Sequence, residues 1–324
     1  MISFYRLLSR EIRFVKNWML PISILVGVGL YLLLHFTSAD EVPYMSFSRK
    51  AQPVLVGFML FLQLNVVAPS DLRFHRWHFI LLGVQASLFA LFAFIASHSG
   101  SEDAKLLLEC AMICLICPTA AAAGVITGKI GGSISGIMTY TVLSDTLASV
   151  LIPLMVPLVH PSADAGFFHS FWMIVRKVFS ILILPLVAAW FIRYFIPSLQ
   201  RFLARYLGWA FYIWGISLAM AMSLATGALV ESGRGPWLAA GIALISLVCC
   251  LFQFYTGRRT ARTYGRKEYI TAGQALGQKN TGFIIWAGLS FLNPATSVAG
   301  GLYAIWQNLV NSWELWRARK EDLI

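Results

Sequence analysis

Ten apolar runs, each near the length of a membrane-crossing helix, follow one another along this chain: 19–36, 52–68, 77–97, 104–127, 132–158, 172–195, 206–229, 236–256, 269–292 and 295–316. A helix needs roughly 20 residues to cross a ~30 Å hydrocarbon core. Only 12% of the residues are charged and mean hydropathy is +0.73, whereas soluble domains carry about 25% charged residues. The pattern predicts an all-α polytopic membrane protein. So little sequence lies between the runs that the function must sit inside the bundle.

The net charge of +11 is distributed unevenly. With the N-terminus inside, the outer segments hold Arg49, Lys50, Lys105, Arg176, Lys177 and Arg234, and Lys279 falls within a span. The remaining eighteen of the twenty-five Lys and Arg residues face the cytoplasm. This positive-inside bias predicts a multi-pass protein of the inner (cytoplasmic) membrane with both termini cytoplasmic. It accounts for the basic balance without a nucleic-acid partner. Residues 1–18 read as a basic amphipathic segment along the inner surface, retained ahead of the first span.

Ten spans divide into repeats at 19–158 and 172–316, joined by a linker over 159–171 and followed by a tail at 317–324. Five spans per half force the second half to insert upside down relative to the first, which is the inverted-repeat arrangement of many carriers. Corresponding spans are then expected to carry corresponding breaks. In the fourth span, Pro118 removes a backbone donor and a string of small residues follows. In the ninth, Gly277-Gln278-Lys279-Asn280-Thr281-Gly282 interrupts an apolar stretch. Polar, helix-breaking residues at mid-bilayer depth are expected to face a cavity or a partner. Two crossed broken helices would aim two positive half-helix N-termini at one point, a seat for a carboxylate or sulfonate. A chain built this way should move something across the membrane.

Four segments in register resemble the bile acid:sodium symporter family. Ala68-Pro69-Ser70-Asp71-Leu72, after Gly57-Phe58-Met59-Leu60, resembles its second-span signature ending in Pro-Ser-Asp-Phe. Cys117-Pro118 with the small residues that follow resembles the first crossing helix. The segment from Gly277 to Gly282 resembles the second, and Trp306-Gln307-Asn308 resembles the Trp-His-Asn of the last span. The resemblance implies ten helices in a panel domain (spans 1, 2, 6 and 7) and a core domain (spans 3–5 and 8–10). It further implies two sodium sites at the crossing and an organic-anion substrate, ranging across the family from conjugated bile acids and steroid sulfates to pantoate and pyruvate. Positions that contact or adjoin substrate map onto Thr119, Ala121, Asn280, Thr281 and Gln307.

The chain departs from the family at its ion sites. Ala123, Gly124, Ile137 and Thr141 occupy the four side-chain positions of the first sodium site, so three ligands are absent. The shared glutamate of the ninth span is replaced by Gln274 or Ala275, while Gln85 still matches a ligand of the second site. Sodium prefers several hard oxygen ligands, and this set supplies few. Two ionisable residues stand where the family has none: Lys279, beside Gln278, and Asp145, one helical turn from Thr141. One expectation is that the Lys279 ammonium replaces a bound sodium with Asp145 as its counter-ion. The pair would then be either a fixed brace in an uncoupled carrier or a proton relay. Otherwise Asp145 faces a polar group or water and only holds helices together.

The leading expectation is a secondary active or facilitative carrier of an organic anion by alternating access. It needs no cofactor, and sodium or a proton is the coupling ion if there is one. A monovalent cation/proton antiporter and a non-transporting ligand receptor are the rivals. The chain has no HExxH, GxSxG or phosphate-binding glycine loop and no clustered catalytic set, which argues against an enzyme. The five cysteines are expected to be core packing, the histidines interfacial, and Glu109 hydrated near the outer surface. Trp209, Trp214, Trp237 and Trp286 are expected to face lipid or the interfacial belts. Lipid is the other partner; Gly132-Ser133-Ile134-Ser135-Gly136 suits close helix packing within a chain or between chains, leaving the oligomeric state open.

Overall fold

The computed structural model describes residues 2–37, 42–120, 122–161 and 166–320. Within hydrocarbon every backbone donor and acceptor must be satisfied internally, and the chain meets that demand with helices. They run α1 Ile2–Phe36, α2 Val42–Leu64, α3 Arg76–Ser97, α4 Glu102–Ile116, α5 Ala123–Lys129, α6 Ile134–Val159 and α7 Phe167–Phe195. Then follow α8 Pro197–Ala204, α9 Ala210–Glu231, α10 Pro236–Thr260, α11 Arg266–Gly277, α12 Thr281–Phe291 and α13 Ser297–Lys320. No strand occurs among the described residues, only an isolated antiparallel bridge between Thr119 and Lys279.

Among the described residues, six helical stretches are long and apolar enough to cross a membrane: Trp18–Phe36, Arg76–Ser97, Ile134–Val159, Phe167–Phe195, Leu207–Glu231 and Pro236–Thr260. The other four expected runs have clear physical reasons for falling short. The fourth and ninth are each split into two half-helices, α4 with α5 and α11 with α12. The second lies in α2, which also carries Arg49 and Lys50 just ahead of the run, and the tenth carries Gln307, Asn308, Asn311 and Glu314 on α13. α1 is one unbroken helix from Ile2 to Phe36, so the division expected at residue 18 coincides with no helix end.

α1, α2, α7 and α9 form one group, with α1 on α9 and α2 against both α7 and α9. α3, α4, α6, α10, α11 and α13 pack into a second, in which α10 lies against α4, α11 and α13. The main hydrophobic cluster runs through both and holds all five cysteines, each of them buried and free. Trp209 and Trp237 point outward, as expected of belt residues, but Trp286 is buried against Phe283 and Phe291. The small-residue segment is used within the chain. Gly132 and Gly136 abut Thr271 of α11, whose hydroxyl accepts the Ser133 N–H at 2.7 Å.

α10 and α11 approach each other closely. A Cβ placed on Gly257 would sit 2.2 Å from the Ala272 carbonyl oxygen. Backbone cannot retreat as a flexible side chain can, so overpacking here should exceed the usual range of about 1–3 kcal/mol. Gly257→Val is expected to abolish the monodisperse peak in detergent chromatography; a peak of wild-type height would show that α11 is free to shift.

Candidate functional site

Pro118 sets the local geometry. Lacking an N–H, it leaves the Cys114 carbonyl without its helical partner, and the break after Ile116 orphans the next carbonyls as every helix C-terminus does. Donors from three other elements reach all four. The Gln253 amide on α10 donates to Cys114 O at 3.2 Å, and Lys279 Nζ donates to Leu115 O at 3.3 Å. Gln85 Nε2 on α3 donates to Ile116 O at 2.8 Å and Cys117 O at 3.2 Å. Tyr140 O–H in turn donates to Gln85 Oε1 at 2.9 Å and fixes that amide. A positive group at a helix C-terminus also suits the helix dipole, and Lys279 is completely buried there.

The two breaks meet as a short antiparallel bridge. Ala120 N–H donates to Gln278 O at 2.9 Å, and Asn280 N–H donates to Pro118 O at 2.9 Å. Thr119 N–H donates to Ser144 Oγ at 3.2 Å, and Thr119 O–H to Ala275 O at 2.7 Å. The amides of Thr119 and Asn280, expected to meet an anion, are thus engaged within the protein here. Ala121 lies outside the described residues. Asn280 Oδ1 caps α12 by accepting the Phe283 N–H at 3.2 Å, and Gln307 Oε1 accepts the Lys279 N–H at 2.8 Å. Thr281 is buried beside them.

Gln274 and Gln278 face α13 and form one network. Gln274 donates to Asn311 Oδ1 at 3.2 Å and to Glu314, Gln278 donates to Gln274 and to Asn311 at 3.3 Å, and Glu314 pairs with Arg258. Thr141 spends its hydroxyl on Ile137 O of its own helix at 2.9 Å, the common back-bond of threonine. Asp145 is fully buried and neither carboxyl oxygen has a hydrogen-bond partner. The expected Lys279–Asp145 ion pair is therefore not formed. Lys279 turns to a helix end instead, because the orphaned carbonyls of α4 offer it a partner that no side chain supplies.

Sequence reasoning missed Gln253 and Tyr303, whose hydroxyl donates to Gly277 O at 2.8 Å and receives the Gln253 amide at 3.0 Å. It also missed Gln52, which donates to Gly282 O at 2.8 Å and ties α2 to α12. Each is a polar side chain inside an apolar run, the same signal that singled out Lys279. Glu109 departs from its expected hydration. It is buried, its Oε1 pairs with His160 Nε2 at 2.7 Å, and its Oε2 accepts the Asn293 N–H at 3.0 Å. His78 is likewise buried, bonded to Gly136 O at 3.0 Å and accepting the His75 N–H.

Two interrupted helices bridged at their breaks, with polar side chains gathered around them inside an apolar bundle, are the feature by which a relative would be recognised. The profile of the sodium bile acid symporter family matches residues 53–232, over half of the chain. The chain belongs to the sodium bile acid symporter family. It is accordingly a multi-pass membrane protein of the bile acid/sodium symporter type, from a family of transporters, not enzymes. The match takes in the α4–α5 break but stops before the α11–α12 break, so the second half of the crossing rests on its own geometry. No curated protein matches the chain at a significant level.

Proposed function

We propose that this chain carries a small organic anion across the inner membrane by alternating access, built as two inverted five-helix repeats with both termini cytoplasmic. In this reading Lys279 stands in for sodium. The observation that carries it is the occupation of the α4 C-terminus: the carbonyls of Cys114, Leu115, Ile116 and Cys117, which a cation would seek, already receive Gln253, Lys279 and Gln85. Thr141 also turns its hydroxyl away. Transport then needs no sodium. The substrate positions remain Thr119, Ala121, Asn280, Thr281 and Gln307, exposed when the helix groups separate and the Gln52–Gly282 bond breaks.

Counterflow of labelled carboxylates, sulfonates and steroid conjugates into proteoliposomes tests the reading. Saturable exchange of one class supports it, whereas flux of no organic anion above empty vesicles overturns it. The unpartnered Asp145 favours a second reading, a monovalent cation/proton exchanger. The two part at Asp145→Asn. An anion carrier braced by Lys279 is expected to keep its exchange rate within about twofold, since less than ~0.5 kcal/mol separates the variants. A cation exchanger would lose all activity and ignore organic acids.

A further inference from the structure

We infer that the cavity between the last turns of α10 and α13 and the start of α11 binds the headgroup of an anionic phospholipid. Its volume is about 1180 Å³, and among the described residues Arg258, Arg259, Arg262, Arg266 and Arg317 line it with one carboxylate, Glu314. That carboxylate is already engaged, by Arg258 and by Gln274. The arginines converge because three helix ends meet here and because Gly265, at φ +91°, turns the chain sharply between Arg262 and α11. Such a φ is open to glycine at no steric penalty.

The cavity has a second, apolar wall. Leu251 and Tyr255 on α10 and Leu309 on α13 line it, and all three side chains are exposed on the outer face of the bundle. Trp313 stands at the junction, its ring carrying the guanidinium groups of Arg258 and Arg317 at 5.8 Å each. An arginine cluster below an apolar lane is the profile of an amphiphile with a negative head. A free anion would use the arginines alone and leave the lane unmatched. The charge distribution puts this end of the bundle on the cytoplasmic side, where anionic lipids attract basic pockets between transmembrane helices. The site touches the crossing only through the Arg258–Glu314 pair, which Gln274 joins, and does not depend on what is transported.

The test uses the full-length protein in detergent, titrated with phosphatidylglycerol, phosphatidylcholine or soluble glycerol phosphate, with apparent melting temperature as the readout. Phosphatidylglycerol is expected to raise it and phosphatidylcholine to leave it unchanged. Arg259 and Arg262 are exposed, so Arg259→Gln/Arg262→Gln should fold normally. Each cation near an anionic lipid surface is worth about a fivefold change in affinity, so the half-saturating concentration should rise roughly 25-fold. Arg259→Lys/Arg262→Lys should respond much as the wild type does, which separates lost charge from lost structure. Equal shifts with both lipids, an undiminished response in the glutamine variant, or the same shift with glycerol phosphate would each overturn the assignment.

Discussion

Lys279→Ala is expected to destabilise the protein more than any other single change at the crossing. Its side chain is fully buried and its amine is the donor to the Leu115 carbonyl. An orphaned buried acceptor costs about 1–3 kcal/mol, and emptying the volume of a long side chain typically adds about 2–5 kcal/mol. A bound state weakened by even ~2 kcal/mol slows flux about thirtyfold. If the amine occupies a cation's place, the vacated Leu115 carbonyl should help accept one. The alanine variant should then melt higher in sodium chloride than in choline chloride, while the wild type melts equally in both. Lys279→Met, which fills the volume without the charge, should lose flux but regain part of the stability. Equal melting of Lys279→Ala in the two salts would remove the surrogate argument.

Glu109→Ala should have the second largest effect, midway along α4. One carboxylate there joins three elements: α4, His160 at the end of α6, and the Asn293 amide after α12. Hydrogen bonds to a charged group contribute about 1.5–3 kcal/mol each. The His160 ring is 35% exposed, so its share is discounted for solvent, leaving about 2–4 kcal/mol in all. Glu109→Gln keeps an acceptor for the Asn293 amide and should lose less than half of that. The check is apparent melting temperature of the three proteins in one detergent; an alanine variant as stable as the wild type would mean that the buried carboxylate holds nothing together. By contrast, the Arg234–Asp103 pair lies on the surface, with the Asp103 side chain 69% exposed, and such pairs are worth little.

The all-helical class and the two helix breaks were legible in the sequence, where a physical constraint acts along the chain. Bilayer thickness fixed run lengths, and Pro118 and the Gly277–Gly282 segment marked the two breaks that the structure brings together at Thr119 and Lys279. Partner choice was not legible. Lys279 and Asp145 looked like mutual counter-ions because each is an ionisable residue inside an apolar run where the family has none. A sequence shows charges but not carbonyls, and the amine's actual partner is the Leu115 oxygen, orphaned by the helix break at Cys117-Pro118. Glu109 was misread for a related reason. Its distance along the helix placed it near the interface, but burial there depends on His160 and the Asn293 loop folding over it. Gln253 was overlooked because an amide barely lowers the hydropathy of a 20-residue window, although inside hydrocarbon it must find partners as a charge must.

The most direct test of the central claim is the initial rate of labelled anion uptake into proteoliposomes under an inward sodium gradient, against the same vesicles with sodium replaced by potassium on both sides. With Lys279 on the Leu115 carbonyl and Gln253 and Gln85 on its neighbours, the wild-type rates should be equal. Uptake that follows the sodium gradient and vanishes in potassium would show that the crossing still builds a sodium site, and the account of Lys279 would be wrong.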